Sequence, residues 1–120
     1  MVWKDTLQIG QEAVLSTSSK NGKPHAIVVI IKGLVDNKVL INVCQMKTSL
    51  KNIQENNQVC LITKKGKEYY RISGEATLHS SGKYFDLAVK RNVAGTPPPK
   101  FALTIDIKKV FDVDKVKKIL

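Results

Sequence analysis

The stretch Lys20-Asn21-Gly22-Lys23-Pro24-His25-Ala26-Ile27-Val28-Val29-Ile30-Ile31-Lys32 decides the fold. Asn21-Gly22 is the pair that favours a two-residue hairpin turn, because both central positions want positive φ. Residues 13–17, just before it, are small and β-branched and read as a strand. Residues 26–31, just after it, form an unbroken apolar run consistent with a strand covered on both faces. Residues 32–38 hold a second turn, and 39–44 read as a third strand. Three consecutive strands with no crossover helix between them make an antiparallel meander.

Working outward, the period changes at Thr48. Leu50 and Ile53 fall at helical spacing in 48–57, with Thr48 or Ser49 as N-cap and Asn56-Asn57 suited to a left-handed end. Residues 59–63 return to strand, 64–67 turn, and 69–78 form a long strand that Gly74 can bend. Residues 80–92 read as a helix carrying Tyr84, Leu87, Ala88 and Arg91 at i, i+3, i+4 and i+7. Gly95-Thr96-Pro97-Pro98-Pro99 is a stiff loop. In 101–113, Phe101, Leu103, Ile105 and Ile107 alternate inward against Ala102, Thr104, Asp106 and Lys108 outward, a half-exposed final strand. Six antiparallel strands with few helices imply a mainly β, small barrel or sandwich, and one domain over residues 1–120.

The 120 residues suffice for one core, and 42% apolar with 25% charged residues is a globular balance. No apolar run approaches the roughly 18 residues of a membrane span. Residues 1–5 lack a secretory pattern, and Cys44 and Cys60 make no disulfide framework or zinc motif, so a reduced, cytoplasmic protein is expected. The formal charge of +10 attracts polyanions or phosphorylated ligands, and it also fits a solvated lysine-rich surface. Only Arg71 and Arg91 are arginines, which argues against base readout in nucleic acid. His25 and His79, each at a strand end, read as surface histidines, and the cysteines as small core hydrophobes. No catalytic residue stands out, and no metal site.

One segment differs. In Asn42-Val43-Cys44-Gln45-Met46-Lys47-Thr48-Ser49-Leu50-Lys51-Asn52-Ile53 an apolar strand leads into a helix start. Free N–H groups, two hydroxyls and the ammonium groups of Lys47 and Lys51 can converge there on one anion. The same spacing also fits a plain helix cap with two solvated lysines.

The order of these segments resembles the pyridoxamine 5′-phosphate oxidase-like family of FMN-binding split barrels. Val29-Ile30-Ile31-Lys32 is similar to the family's apolar strand ending in lysine. Lys47-Thr48 with Asn52-Ile53 and Asn56-Asn57 is similar to its phosphate-binding turn, and Arg71-Ile72-Ser73-Gly74 to a strand motif that follows Tyr69-Tyr70. The resemblance spans about residues 10–112. It implies a six-stranded antiparallel split β-barrel with two or three short helices, a homodimer, and FMN in grooves at the dimer interface. By position, Lys47, Thr48 and Lys51 would hold the FMN phosphate. The backbone of Val28, Val29, Ile30, Asn42 and Val43 would line the flavin ring, Lys32 would reach the flavin or a small-molecule redox substrate, and Tyr69 or Arg71 would approach from the partner subunit. Relatives that take a deazaflavin or haem leave those cofactors as alternatives, beside a non-enzymatic nucleic-acid-binding barrel.

The departures matter too. Ile27 and Met46 stand where the family has arginines, and residues 101–120 contain neither arginine nor histidine. Oxidation of vitamin B6 itself is therefore not expected; an FMN-dependent oxidoreductase with another acceptor is.

Overall fold

The computed structural model describes residues 3–120, so the first two residues of the segment read for a leader lie outside it. A 3₁₀ turn, Trp3–Leu7, precedes six long strands: β1 (Glu12–Ser18), β2 (Pro24–Val35), β3 (Lys38–Val43), β4 (Gln58–Lys65), β5 (Glu68–His79) and β6 (Phe101–Asp112). Helix α1 (Thr48–Glu55) links β3 to β4, helix α2 (Lys83–Lys90) links β5 to β6, and a two-residue strand β7 (Lys117–Lys118) lies beside β6. Strand order is β3-β2-β1-β4-β5-β6-β7, and β3 also pairs with β6. That pairing closes the six antiparallel strands into a barrel, which decides between the barrel and sandwich that the strand pattern allows and agrees with the family resemblance. Lys38 and Asp106, opposite each other in the closing ladder, form an ion pair across it.

The turns differ from the expectation. Ser18 pairs with Pro24, so 19–23 is a five-residue loop closed by Gly22 N–H to the Ser19 carbonyl at 2.9 Å. Only Gly22 takes a positive φ there, and Asn21 does not. The two-residue turn with both φ values positive is instead Asp36-Asn37, at +53° and +62°, between paired Val35 and Lys38. Aspartate and asparagine tolerate that region because their short side chains bond locally.

Alternate residues of each strand fill the barrel. Leu15, Ile31, Val39, Ile41, Leu61, Ile72, Leu103 and Ile105 are all within 1% of complete burial. Gly74 bends β5, as expected: the register with β6 shifts at Ser73/Gly74, and the Asp106 carbonyl crosses where a Cβ would stand. The final strand departs from simple alternation. Ala102 and Thr104, expected outward to solvent, are buried: Ala88, Tyr84, Phe85 and Leu87 of α2 pack with Leu40 over Ala102, and His79 meets Thr104. A second small core therefore lies outside the barrel wall.

At the edge of that second core, His79 Nε2 lies 2.8 Å from Thr104 Oγ1. Burial, helped by the Lys38 charge, holds the imidazole below its ordinary pKa. The unfolded chain then binds the extra proton more readily, so stability is lost as pH falls below about 6.5. His79→Gln is expected to reduce the drop in melting temperature between about pH 7.5 and pH 5.5. An unchanged drop would assign the acid sensitivity elsewhere.

Strand β2 is covered on only one face. Val29 and Ile31 point into the core, while Val28 and Ile30 are 64% and 42% exposed. Register places Val28, Val14, Ile62, Arg71 and Phe111 side by side on the outer wall, across five strands. An apolar band on an outer wall is the kind of surface that marks a contact site.

Candidate functional site

A cavity of about 400 Å³ opens on the outer wall where β2 and β3 meet the loop after α2. Its size falls in the range of small-molecule sites, about 300–1,000 Å³. Ile27, Val28, Val29 and Ile30 form an apolar side, and Lys32, Asn42, Gln45 and Met46 add polar and flexible groups to the lining. The loop supplies Asn92, Val93 and Thr96. Five of the residues singled out from sequence, Val28, Val29, Ile30, Lys32 and Asn42, thus line one space.

Lys32 is only 7% exposed, yet no hydrogen-bond or ion-pair partner meets its ammonium among the described residues. The nearest titratable consequence is at Cys44, another wall residue: burial pushes its thiol pKa up, and the Lys32 charge pulls it back. Asn42 donates Nδ2 to the Ala88 carbonyl at 3.1 Å and to Asn92 Oδ1 at 3.4 Å. Its own Oδ1 is buried with no protein partner. The cavity wall therefore carries one cation with no protein partner, and Asn42 adds a buried acceptor that is also unpartnered.

The strand-to-helix turn starts directly after Met46. Its N-cap is Lys47, with no side-chain cap, rather than Thr48 or Ser49 as the sequence suggests. The left-handed end expected at Asn56 is also absent, since its φ of −148° is extended. Without a cap, the first N–H groups of α1 stay available. Ser49 Oγ, in the first turn, is buried and unpartnered. Thr48 lines a smaller cavity of about 270 Å³ together with Ser19, Lys23, His25 and Asn52. Lys47 and Lys51 are exposed around this turn.

Sequence reasoning missed Lys23 and His25 at this place, because the β1–β2 loop meets α1 only in three dimensions. Asn52 anchors that meeting by donating Nδ2 to Thr17 Oγ1 at 3.1 Å. The loop residues Asn92, Val93 and Thr96 were missed for the same reason. Both cysteines are half-buried rather than core residues: Cys44 faces the cavity, and Cys60 lies on the outer wall within 3.9 Å of Ser73 Oγ.

Three remaining candidates lie elsewhere. The Val43 side chain sits in the barrel core, and its carbonyl accepts the Lys100 N–H at 2.8 Å. Tyr69 and Arg71 are on the outer wall of β5, where Lys64 lies over Tyr69 at 5.2 Å and Arg71 over Phe111 at 4.7 Å. They line neither cavity of this chain. A separate cleft of about 430 Å³ mixes Glu68 and Asp112 with Lys115, Lys117 and Lys118. Its charges are intermingled, and none of the candidate residues reaches it.

No helix among the described residues is long and apolar enough to cross a membrane. No curated protein matches the chain in sequence. Among solved structures, HupZ from Group A Streptococcus superposes with a TM-score of 0.87 at 18% identity, covering 100% of both chains. An FMN-binding protein from Syntrophomonas wolfei subsp. wolfei gives 0.71 at 21% identity, over 91% of this chain and 80% of the other. An F420 reductase gives 0.71 at 13% identity, over 92% and 96%. These likenesses establish the split-barrel fold. The family model for pyridoxamine 5′-phosphate oxidase matches residues 4–114, nearly the whole chain, and the chain therefore belongs to that family.

Proposed function

We propose that the chain is an FMN-binding flavoprotein, a homodimer that passes electrons or hydride between bound flavin and a small-molecule redox substrate. The observation that carries this reading is Lys32, whose side chain is largely buried along an apolar wall while its ammonium, with no protein partner, opens to the cavity. A cation without a protein partner at an apolar cavity suits a ligand with an electron-rich edge and a flat apolar body. The flavin ring has both. Val28 and Ile30 would face its plane, Lys32 would meet its polar edge, and the backbone of Asn42 would lie alongside. Lys47, Thr48 and the free N–H groups of α1 would hold the phosphate, with Lys51, Lys23 and His25 adding charge. When bound, FMN supplies the redox chemistry, and the protein supplies orientation and electrostatics.

The outer wall supports the dimer reading. The cavity's Val28 continues into the band of Val14, Ile62 and Phe111, so a second copy seated there would also cover the cavity. Arg71 of the partner subunit would then approach the ligand. Two free thiols fit a reducing, cytoplasmic setting.

Titration with FMN, followed by flavin absorbance and fluorescence, tests the reading. Lys47→Ala is expected to weaken FMN about ten- to hundredfold while leaving riboflavin, which lacks the phosphate, nearly unaffected. Lys4→Ala removes the same charge away from the turn and is expected to change neither. Equal weakening by both variants would mean diffuse electrostatics, and a protein that takes up no flavin would overturn the reading.

A deazaflavin with a long anionic tail is the second reading, favoured by the +10 charge and by the likeness to an F420 reductase. Competition between FMN and the deazaflavin coenzyme decides between them. Haem ranks lower, since neither histidine lines the larger cavity. Tight, salt-dependent binding of single-stranded DNA without flavin uptake would support a nucleic-acid-binding barrel instead.

A further inference from the structure

Lys32, two residues beyond Ile30 on the cavity side of β2, sits at an irregularity in the strand. Ile31 pairs with Ile41 and Leu34 with Val39, so the register slips by one residue between them. As a result Ile31, Lys32 and Gly33 are buried in succession, which a regular alternating strand with one solvent face does not produce. Gly33 takes a φ of +113° at this bulge.

The bulge is fastened from behind. Arg91, at the C-terminal end of α2, donates Nη1 to the Lys32 carbonyl at 2.6 Å. A Cβ on Gly33 would lie 2.7 Å from that same nitrogen, so the glycine leaves the room the guanidinium uses. Arg91 is not in the wall of the larger cavity; it lines a separate cleft with Leu7, Ile9, Gly33 and Leu34. Its neighbour Asn92 does face the larger cavity and is bonded to Asn42.

We infer that Arg91 is a positioning residue. By tying the end of α2 to the bulge, it sets the direction in which the Lys32 ammonium enters the cavity, without touching the ligand itself. The ligand half of this inference rests on the flavin reading above; the positioning half does not.

Two measurements keep them apart. In ligand-free protein, limiting acetic anhydride followed by peptide mass spectrometry reports the reactivity of each lysine. Buried Lys32 is expected to react about tenfold more slowly than exposed Lys47, and Arg91→Ala to close most of that gap with Lys47 unchanged. Gly33→Ala, which displaces the same guanidinium, is expected to do likewise. If Arg91→Ala fails to fold, Arg91→Lys carries the test: it keeps the charge but loses the planar fork, and is expected to expose Lys32 partly. Unaltered protection of Lys32 in folded Arg91 variants would overturn the inference.

In FMN titrations, Lys32→Met and Arg91→Ala are each expected to weaken binding about tenfold, and the double variant no more than Lys32→Met alone. Effects that multiply would show that Arg91 acts independently of Lys32 and would also overturn it. If the wild-type protein binds no FMN, the flavin reading fails, and the labelling result still decides the role of Arg91.

Discussion

Ile62→Lys is expected to turn a species of about 27 kDa, twice the 13.3 kDa chain, into a monomer in sedimentation at micromolar concentration. Ile62 sits mid-way along the outer band, between Val14 on β1 and Arg71 on β5. It is 36% exposed in the single chain, so a lysine there can reach water and should change monomer stability by no more than about 0.5 kcal/mol. At an interface the position is different. The new ammonium would be buried beside Arg71 with no anion, at a cost of about 3–5 kcal/mol, and two-fold symmetry applies that cost twice. Several powers of ten in the dissociation constant follow. Far-ultraviolet circular dichroism should stay unchanged, separating dissociation from unfolding. A variant that still sediments as a dimer would place the interface on another face, and a monomeric wild type would remove the dimer from the proposal.

Gly74→Ala is expected to destabilise the barrel by about 3 kcal/mol, the upper end of ordinary overpacking. The added carbon would stand 2.1 Å from the Asp106 carbonyl oxygen and 2.9 Å from Ile105 Cγ2. Backbone cannot swing aside as a long side chain can, and Asp106 is held from its other edge by Lys38 of β3. Relieving the clash therefore means parting β5 from β6. A loss of this size lowers the melting temperature of a domain this long by about 10–15 °C. A melting temperature within about 2 °C of wild type would show that the ladder can slide at little cost.

The barrel was legible because its signals are local. The inward placing of Leu103 and Ile105 in β6, the bend at Gly74 and the change of period at Thr48 each concern neighbours in sequence. The apolar run 26–31 was read as covered on both faces, whereas the folded chain covers only Val29 and Ile31. That mismatch is informative, since the uncovered Val28 and Ile30 form the cavity wall. Asn21-Gly22 misled because an asparagine-glycine pair permits a tight turn without enforcing one, while Asp36-Asn37 adopted it. What stayed hidden depends on contacts distant in sequence. The docking of α2 over Ala102, the meeting of His25 with Thr48, and the grip of Arg91 on Lys32 span from about 14 to 60 positions, and no periodicity reports them.

The pairing of β3 with β6 has a consequence for how the protein comes into being. Lys38 meets Asp106 and Val43 meets Phe101, so the closing ladder joins residues 68 and 58 positions apart. Contacts of such separation form late, because chain entropy is lost before they reward it. Until β6 arrives, whether on the ribosome or during refolding, β3 presents a bare edge lined by Val39, Ile41 and Val43, open to any other strand in reach. The α2–β6 loop that walls the larger cavity is placed in the same final step. The proposed ligand site is therefore complete only once the barrel has closed, and a chain that lacks β6 keeps an open strand edge in place of that site.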